Sequence, residues 1–343
     1  MPAEERRTIS VMNAIDGKAP YGQLTPDVVL NAIDSTGLAT DGRQLALNSY
    51  ENRVFQVGLE DGSFVIVKFY RPLRWSDAQI LEEHTFIAEL AEHEVPAVPA
   101  LLLHDRTLHR FDEFRFAVFS RAGGRAPNMD DREVRLWLGR FLGRIHLAGR
   151  ARPYAERPAL DLDTFGVEPR RYLLDGEWLP PELQTVYAGV SQQALDAVAA
   201  AYDRGAYQSL RLHGDCHEGN VLWTDSIGNV GPHFVDFDDS RMGPAVQDLW
   251  MLLGGGRTEQ TRRLADLLEG YEDFCEFDRR ELALIEPLRT LRLMHYSAWI
   301  ARRWDDPAFP AAFPWFNTQR YWEERILELR EQIAAMEEAP LTA

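Results

Sequence analysis

Asp215 and Asn220, within Leu212-His213-Gly214-Asp215-Cys216-His217-Glu218-Gly219-Asn220, and Asp236, within Phe234-Val235-Asp236-Phe237-Asp238, are oxygen-bearing side chains whose order and spacing suit phosphoryl transfer from Mg-ATP. That reaction asks a protein for little covalent chemistry. It needs one group to orient the attacking hydroxyl and others to hold a divalent metal on the phosphates. Asp215 fits the first role, accepting or orienting the acceptor's proton. Asn220, through its carboxamide oxygen, and Asp236 fit the second, because hard oxygen ligands suit Mg2+. The apolar Leu210 and Leu212 put Asp215 at the end of a short strand, and Gly219 lets the chain turn before Asn220. A polar loop whose Asp and Asn merely cap turns is the plainer explanation, but it does not account for both motifs occurring together.

Lys68 lies in the apolar run Phe64-Val65-Ile66-Val67-Lys68-Phe69, where a charged side chain must face something polar. Its place resembles that of the third-strand Lys of protein kinases, which implies contact with the ATP phosphates and a pair with a Glu on the next helix; the competing explanation is an edge-strand Lys that guards against aggregation. Glu83 is the expected partner, sharing a helix face with Ile87 and Leu90, whereas Glu82 lies about 100° round and should be more exposed. His213, Asp215, Cys216 and His217 form a dense set of potential zinc ligands. A zinc hydrolase would leave Lys68 and Asp236 unexplained, so His217 is expected instead to stiffen the loop through backbone or Asp236.

The elements that must position these groups fall into two parts. A helix is predicted from Thr25-Pro26-Asp27 to about Gly37, followed by strands at 44–50, 53–60 and 63–70, the last two joined by an Asp61-Gly62 turn. A helix over 76–94, then strands near 100–104 and 114–120, complete a small antiparallel sheet. The pattern breaks at Arg121-Ala122-Gly123-Gly124-Arg125, and helices dominate beyond it: 131–148, 192–201, 246–253, 262–274 and 282–303. The expected fold class is α+β and bilobal: a mobile arm over 1–22, a nucleotide-covering N-lobe over 23–120, a hinge at 121–125 and a catalytic, acceptor-binding C-lobe over 126–343. Core packing is favoured over an acceptor cleft for the aromatic stretch Arg292–Ile300 and for Phe313-Pro314-Trp315-Phe316, with His295 and Trp299 the residues to revisit.

At 343 residues and 45% hydrophobic content the chain can bury a large core. The net charge of -17 and the lack of a long basic run argue against a nucleic-acid partner. Two cysteines, one inside the catalytic candidate, fit a reducing compartment, and no stretch approaches the ~20 apolar residues that span a bilayer. A cytoplasmic monomer without membrane attachment is expected.

His213-Gly214-Asp215-x-His217-x-Gly219-Asn220 with Asp236-Phe237-Asp238-Asp239 resembles the aminoglycoside phosphotransferase and choline kinase-like superfamily, which shares the protein-kinase fold. Leu47–Val54, Val67–Pro72, Arg211–Asp215 and Gly243–Leu253 are similar to the stress-response kinase A (RdoA) family of bacterial serine/threonine protein kinases. The resemblance implies Asp215 as proton acceptor, Asn220 and Asp236 as Mg2+ ligands, Ser49 touching ATP, and protein Ser/Thr acceptors. Residues 47–54 contain no glycine, so side chains such as Ser49 or Asn52 must supply contacts that backbone provides in protein kinases. Ser49 is also a candidate autophosphorylation acceptor. Asp238 replaces the Gly of D-F-G and could add a metal contact or remain an exposed carboxylate; Asp248 could brace the catalytic loop or only cap a helix. Two further functions stay open: phosphorylation of a small hydroxyl compound of the homoserine, choline or aminoglycoside type, and a nucleotide-sensing pseudokinase.

Overall fold

Among the described residues five antiparallel strands form one sheet: β1 (Thr40–Ala46), β2 (Arg53–Leu59), β3 (Phe64–Phe69), β4 (His109–Phe111) and β5 (Phe114–Ser120), in spatial order β1-β2-β3-β5-β4. The computed structural model describes residues 19–204, 207–226 and 229–342, so residues 1–18 of the expected arm lie outside the described residues. Residues 19–22 are packed: the Tyr21 hydroxyl donates to the Glu51 carbonyl at 3.1 Å, and the Arg53 guanidinium sits 4.3 Å from its ring.

Helix α1 (Pro26–Asp34) starts where Thr25 accepts from the Val28 N–H and Pro26 occupies the first turn; Gly37, at φ 86°, ends that segment with a conformation that favours glycine. Its Val29 and Ile33 bury against Val57, Val67, Phe69 and Phe116 on one face of the sheet. Each such burial stabilises by about 1.5–3 kcal/mol. Helix α2 (Asp77–Glu92) opens with a capping box in which Ser76 and Gln79 satisfy each other's backbone N–H groups. Its Ile80 packs on the sheet with Tyr70 and Phe119, while Phe86, Ile87 and Leu90 enter the large helical core. One helix thus serves two cores.

Two strand expectations are corrected. The first strand ends at Ala46 rather than continuing to Tyr50, because residues 47–52 turn away from the sheet. Residues 100–104 make only isolated bridges at Ala100 and Leu103; Pro99 lies just before, and His104 and Asp105 take positive φ. The fifth strand is 109–111 instead.

The helical part contains α3 (Arg132–Arg150), α4 (Glu168–Asp175), α5 (Pro181–Arg204), α6 (Val246–Trp250), α7 (Arg257–Tyr271), α8 (Ile285–Ala301), α9 (Ala308–Ala312) and α10 (Gln319–Ala335). Of these, α4, α9 and α10 escaped the periodicity argument. Helices α3 and α7 approach so closely that a Cβ on Gly139 would lie 2.0 Å from the Leu267 carbonyl oxygen, and one on Gly270 2.2 Å from that of Leu136. Among the described residues two short antiparallel pairs are also present: β6 (Leu210–Arg211) with β9 (Met242–Gly243), and β7 (Val221–Ser226) with β8 (Asn229–Phe234).

Candidate active site

Hairpin closure brings Asn220 and Asp236 together. Asn220 precedes β7 and Asp236 follows β8; Val221 pairs with Phe234, and the Val235 N–H donates to the Asn220 carbonyl at 3.1 Å. The length between the two motifs is therefore that of one hairpin. Asp215 lies on the loop leaving β6, and the Asn220 carboxamide N–H donates to the Asp215 carbonyl at 3.0 Å, which orients the Asn220 oxygen for another partner. Asp236 adopts φ 61° and ψ 61°, a left-handed conformation costly for a non-glycine residue by about 1–2 kcal/mol. Such strain persists where surrounding structure holds a functional group in place.

The loop is fixed from below by Asp248. Its carboxylate accepts from the His213 and Gly214 N–H groups at 2.7 and 2.8 Å and lies 3.1 Å from His146 Nε2, fully buried. Ala245 and not Asp248 precedes α6, so bracing rather than capping is its role. The His213 ring bonds the Val235 carbonyl at 2.9 Å and packs 4.3 Å from Phe237, which locks the two motifs to each other. His217 accepts from the Gly219 N–H and lies 3.5 Å from Asp215, not against Asp236 as one expectation had it.

Lys68 is on β3, between β2 and β5, so the edge-strand explanation fails. Its ammonium lies 2.8 Å from Asp236 and 4.0 Å from Asp238. Burial opposes its charge, but those two carboxylates outweigh that effect and hold Lys68 protonated well above the ordinary lysine range. The expected Lys68–Glu83 pair is corrected. Glu83, on the buried face of α2, is bound by Arg157 at 2.6 Å, while half-buried Glu82 accepts from the N–H groups of Ala155, Glu156 and Arg157. The chain at 155–157 therefore inserts a guanidinium as Glu83's partner, and Lys68 turns to the Asp236 side. Burial pushes the Glu83 carboxyl up to about 7, with Arg157 and Lys68 pulling against it.

Asp238 is buried, not exposed: it pairs with Arg74, and its Oδ1 makes no hydrogen bond. Arg74 and Arg241 both hold Asp239 at 2.8 Å; burial works against ionisation there, but the two guanidiniums keep its carboxyl well below the usual range. Asp215 behaves similarly. Burial raises it, but the His217 hydrogen bond and the Arg292 charge outweigh that and hold it at about 2, so it is ionised at neutral pH.

Ser49, Lys68, Asp215, Asn220 and Asp236 line one cavity of about 760 Å³, roofed by residues 47–52, with the first two on the sheet side and the other three opposite, while Asp248, His213 and Arg157 act from behind its lining. One face of α8 forms a further wall with Leu288, Arg292, His295, Tyr296 and Trp299. The packing expectation holds for Met294, Ala298, Ile300, Phe313 and Phe316; Tyr296 and Trp299 pack against the same core while also facing the cavity, and His295 lines it. His295 stacks on Phe165 at 4.3 Å, and burial beside Arg241 lowers it to about 3, leaving a neutral imidazole. Sequence reasoning missed Arg74 and Arg157 as site residues; both are isolated arginines in loops, without a spacing signal. Arg292 could have been found, since it shares an i, i+3, i+4, i+7 face with His295, Tyr296 and Trp299.

The family model for the phosphotransferase enzyme family matches residues 43–285. "Stress response kinase A" of Escherichia coli (strain K12) is 45% identical over 324 residues, covering 94% of this chain and 96% of that protein. The chain belongs to the stress response kinase A family of phosphotransferases. Another member, "Serine/threonine protein kinase RdoA" of Salmonella typhimurium (strain LT2), is 43% identical over 329 residues, covering 95% and 98% of the two chains. Two solved structures share the kinase-like fold of the family. Amicoumacin kinase hAmiN, in complex with AMP-PNP, Ca2+ and Ami, has a TM-score of 0.69 at 20% identity, covering 92% of this chain and 94% of that one. The microcompartment-associated aminopropanol kinase has a TM-score of 0.68 at 18% identity, covering 90% and 96%. As a member of this family the protein is a kinase with an α+β architecture of a small antiparallel sheet and a larger helical part.

Proposed function

We propose that the protein is an ATP- and Mg-dependent serine/threonine protein kinase of the cytoplasm that phosphorylates protein Ser/Thr residues, its own included, in the response to stress. The observation that carries the chemistry is the convergence of Asp215, Asn220, Asp236 and Lys68 on one cavity. The protein acceptor is supported by the name of the relative 43% identical over 329 residues, "Serine/threonine protein kinase RdoA", and the role in stress by that of the relative at 45% identity.

The donor set fits a hard divalent cation. The Asn220 oxygen faces away from its internal bond, the Asp236 side chain is 50% exposed, and Asp238 Oδ1 is buried without a hydrogen-bond partner. Asn220 and Asp236 would hold Mg2+, with Asp238 beside them, and Mg2+ bound there would supply electrostatic neutralisation of the phosphates. Lys68 would contact the phosphates, and Ser49 would approach them from the covering loop. Asp215, ionised throughout the physiological range, would align the acceptor hydroxyl and take its proton as the new O–P bond to the γ-phosphorus forms and the bond from that phosphorus to the β,γ-bridging oxygen breaks, ADP leaving.

Labelled ATP and Mg2+ incubated with the purified protein should place label on protein Ser/Thr residues, located by mass spectrometry, with Ser49 one candidate. Asp215→Ala should lower transfer by about 10²–10⁴-fold while nucleotide affinity stays near wild type. Asp236→Ala should abolish metal-dependent turnover. Wild-type activity in both variants overturns the assignment.

A small-molecule acceptor is favoured by one observation: Glu51, in the covering loop, binds Arg303 at 2.6 Å and Trp299 on α8, so the roof is fastened over the acceptor wall. Label appearing on an added alcohol and not on protein would select it.

A further inference from the structure

Among the described residues four cations line the cavity, and three of them are committed to internal carboxylates. Lys68 is shared between Asp236 and Asp238; Arg74 binds Asp238, Asp239 and Glu51; Arg241 binds Asp239 through its side chain and, at 2.9 Å, its carbonyl. Arg292 differs. Its side chain is 42% exposed, and among the described residues the carboxylate within ion-pair reach is Asp215, 2.7 Å from Nη1. That oxygen is one the acceptor hydroxyl needs. The other Asp215 oxygen already faces His217 and the Asn220 amide, each at 3.5 Å.

An acceptor hydroxyl that reaches Asp215 therefore displaces or shares the guanidinium. Arg292 has a long side chain on a rigid helix, and its neighbours on the same face, Leu288, His295 and Tyr296, carry no charge to take Asp215's place. A guanidinium is always protonated and binds carboxylate or phosphate in a two-pronged geometry. We propose that the acceptor carries an anionic group, a carboxylate or a phosphate, beside the hydroxyl that is phosphorylated, and that Arg292 exchanges Asp215 for it. This deepens the kinase assignment and rests on it. Arg292 is then a specificity-determining residue: it shields Asp215 when the wall is empty and releases it when an anionic acceptor docks. The net charge of -17 does not oppose this, because charges beyond about 8 Å are largely screened at physiological salt while the guanidinium is in contact.

The test measures transfer from labelled ATP by the full-length protein to two panels. One is a set of Ser/Thr peptides with Asp, phosphoserine, Ala or Lys next to the acceptor. The other compares a hydroxy acid, glycerate, with glycerol and ethanolamine. Wild type should prefer anionic over neutral acceptors by about tenfold or more in kcat/KM, through KM, as expected for a hydrogen-bonded charge pair. Arg292→Gln should bring that ratio close to one, and Arg292→Lys should restore part of it. Preference for anions among small alcohols only would retain the inference and remove the protein-kinase assignment. A wild-type protein that does not prefer anions, or that labels neither anionic panel, overturns it independently of whether either variant folds. So does an Arg292→Gln loss equal for every acceptor, which would assign the guanidinium to the transferred phosphoryl group.

Discussion

Glu83 shows how one side chain's environment alters a motif's expected wiring. Placed at the position where a helix-borne Glu would meet Lys68, it is taken by Arg157, and burial leaves its carboxyl near 7. The sign of the resulting pH effect follows from linkage. The folded state holds a proton that the unfolded chain, with a carboxyl near 4.5, has lost, so this group's contribution falls as pH rises from about 4.5 to about 7. Glu83→Gln is expected to remove that slope: denaturant unfolding of the variant across this window should show a flatter fall, or a steeper rise, of stability with pH than wild type. An unchanged slope would show that Glu83 ionises normally. Asp248 is the second decisive residue. Asp248→Ala leaves two buried backbone N–H groups without acceptors, each worth about 1–3 kcal/mol. It should lower both the unfolding midpoint and kcat, whereas a substitution that only uncapped a helix would spare kcat.

Among the elements, the β7–β8 hairpin and helix α3 do most to place the chemistry. The hairpin converts a separation in sequence into adjacency of Asn220 and Asp236. Helix α3 is pressed against α7 at Gly139 and against β6 at Gly149, where an added Cβ would lie 2.3 Å from the Arg211 carbonyl oxygen. Gly139→Ala and Gly149→Ala should each destabilise by about 1–3 kcal/mol through overpacking. Thermal unfolding would detect both. Only the second should also depress kcat, because β6 leads directly to Asp215; equal effects on turnover would remove that distinction.

At the scale of the molecule, the sheet and the helical part are tied together by more than the connection at 121–131 between β5 and α3. Asp306, in the segment between α8 and α9, accepts from Arg53 at 3.1 Å and from Arg71 at 2.6 Å. Arg71 in turn holds Glu51 and the carbonyls of Glu51 and Tyr50 in the covering loop. Asp306→Ala leaves buried Arg71 with one of its two carboxylate partners and should cost about 3–5 kcal/mol. It should also raise the KM for ATP by loosening residues 47–52. Calorimetry together with nucleotide titration would separate the two effects, and a variant as stable as wild type would show that the tie is dispensable.

Local patterns in the chain were sufficient for the α+β, bilobal outline, the capped helix beginning at Pro26, the helix within 76–94, the 53–69 hairpin and the grouping of Asp215, Asn220 and Asp236. Each depends on periodicity, turn chemistry or a short motif, and these act between residues close in sequence. Composition likewise showed a chain able to bury a large core. Tertiary structure alone decided who pairs with whom: Arg157 with Glu83, Arg292 with Asp215, Arg74 with Asp238, Asp306 with Arg71. Those partners lie far apart along the chain and are selected by burial, because a charge removed from water takes whichever opposite charge the packing brings within reach.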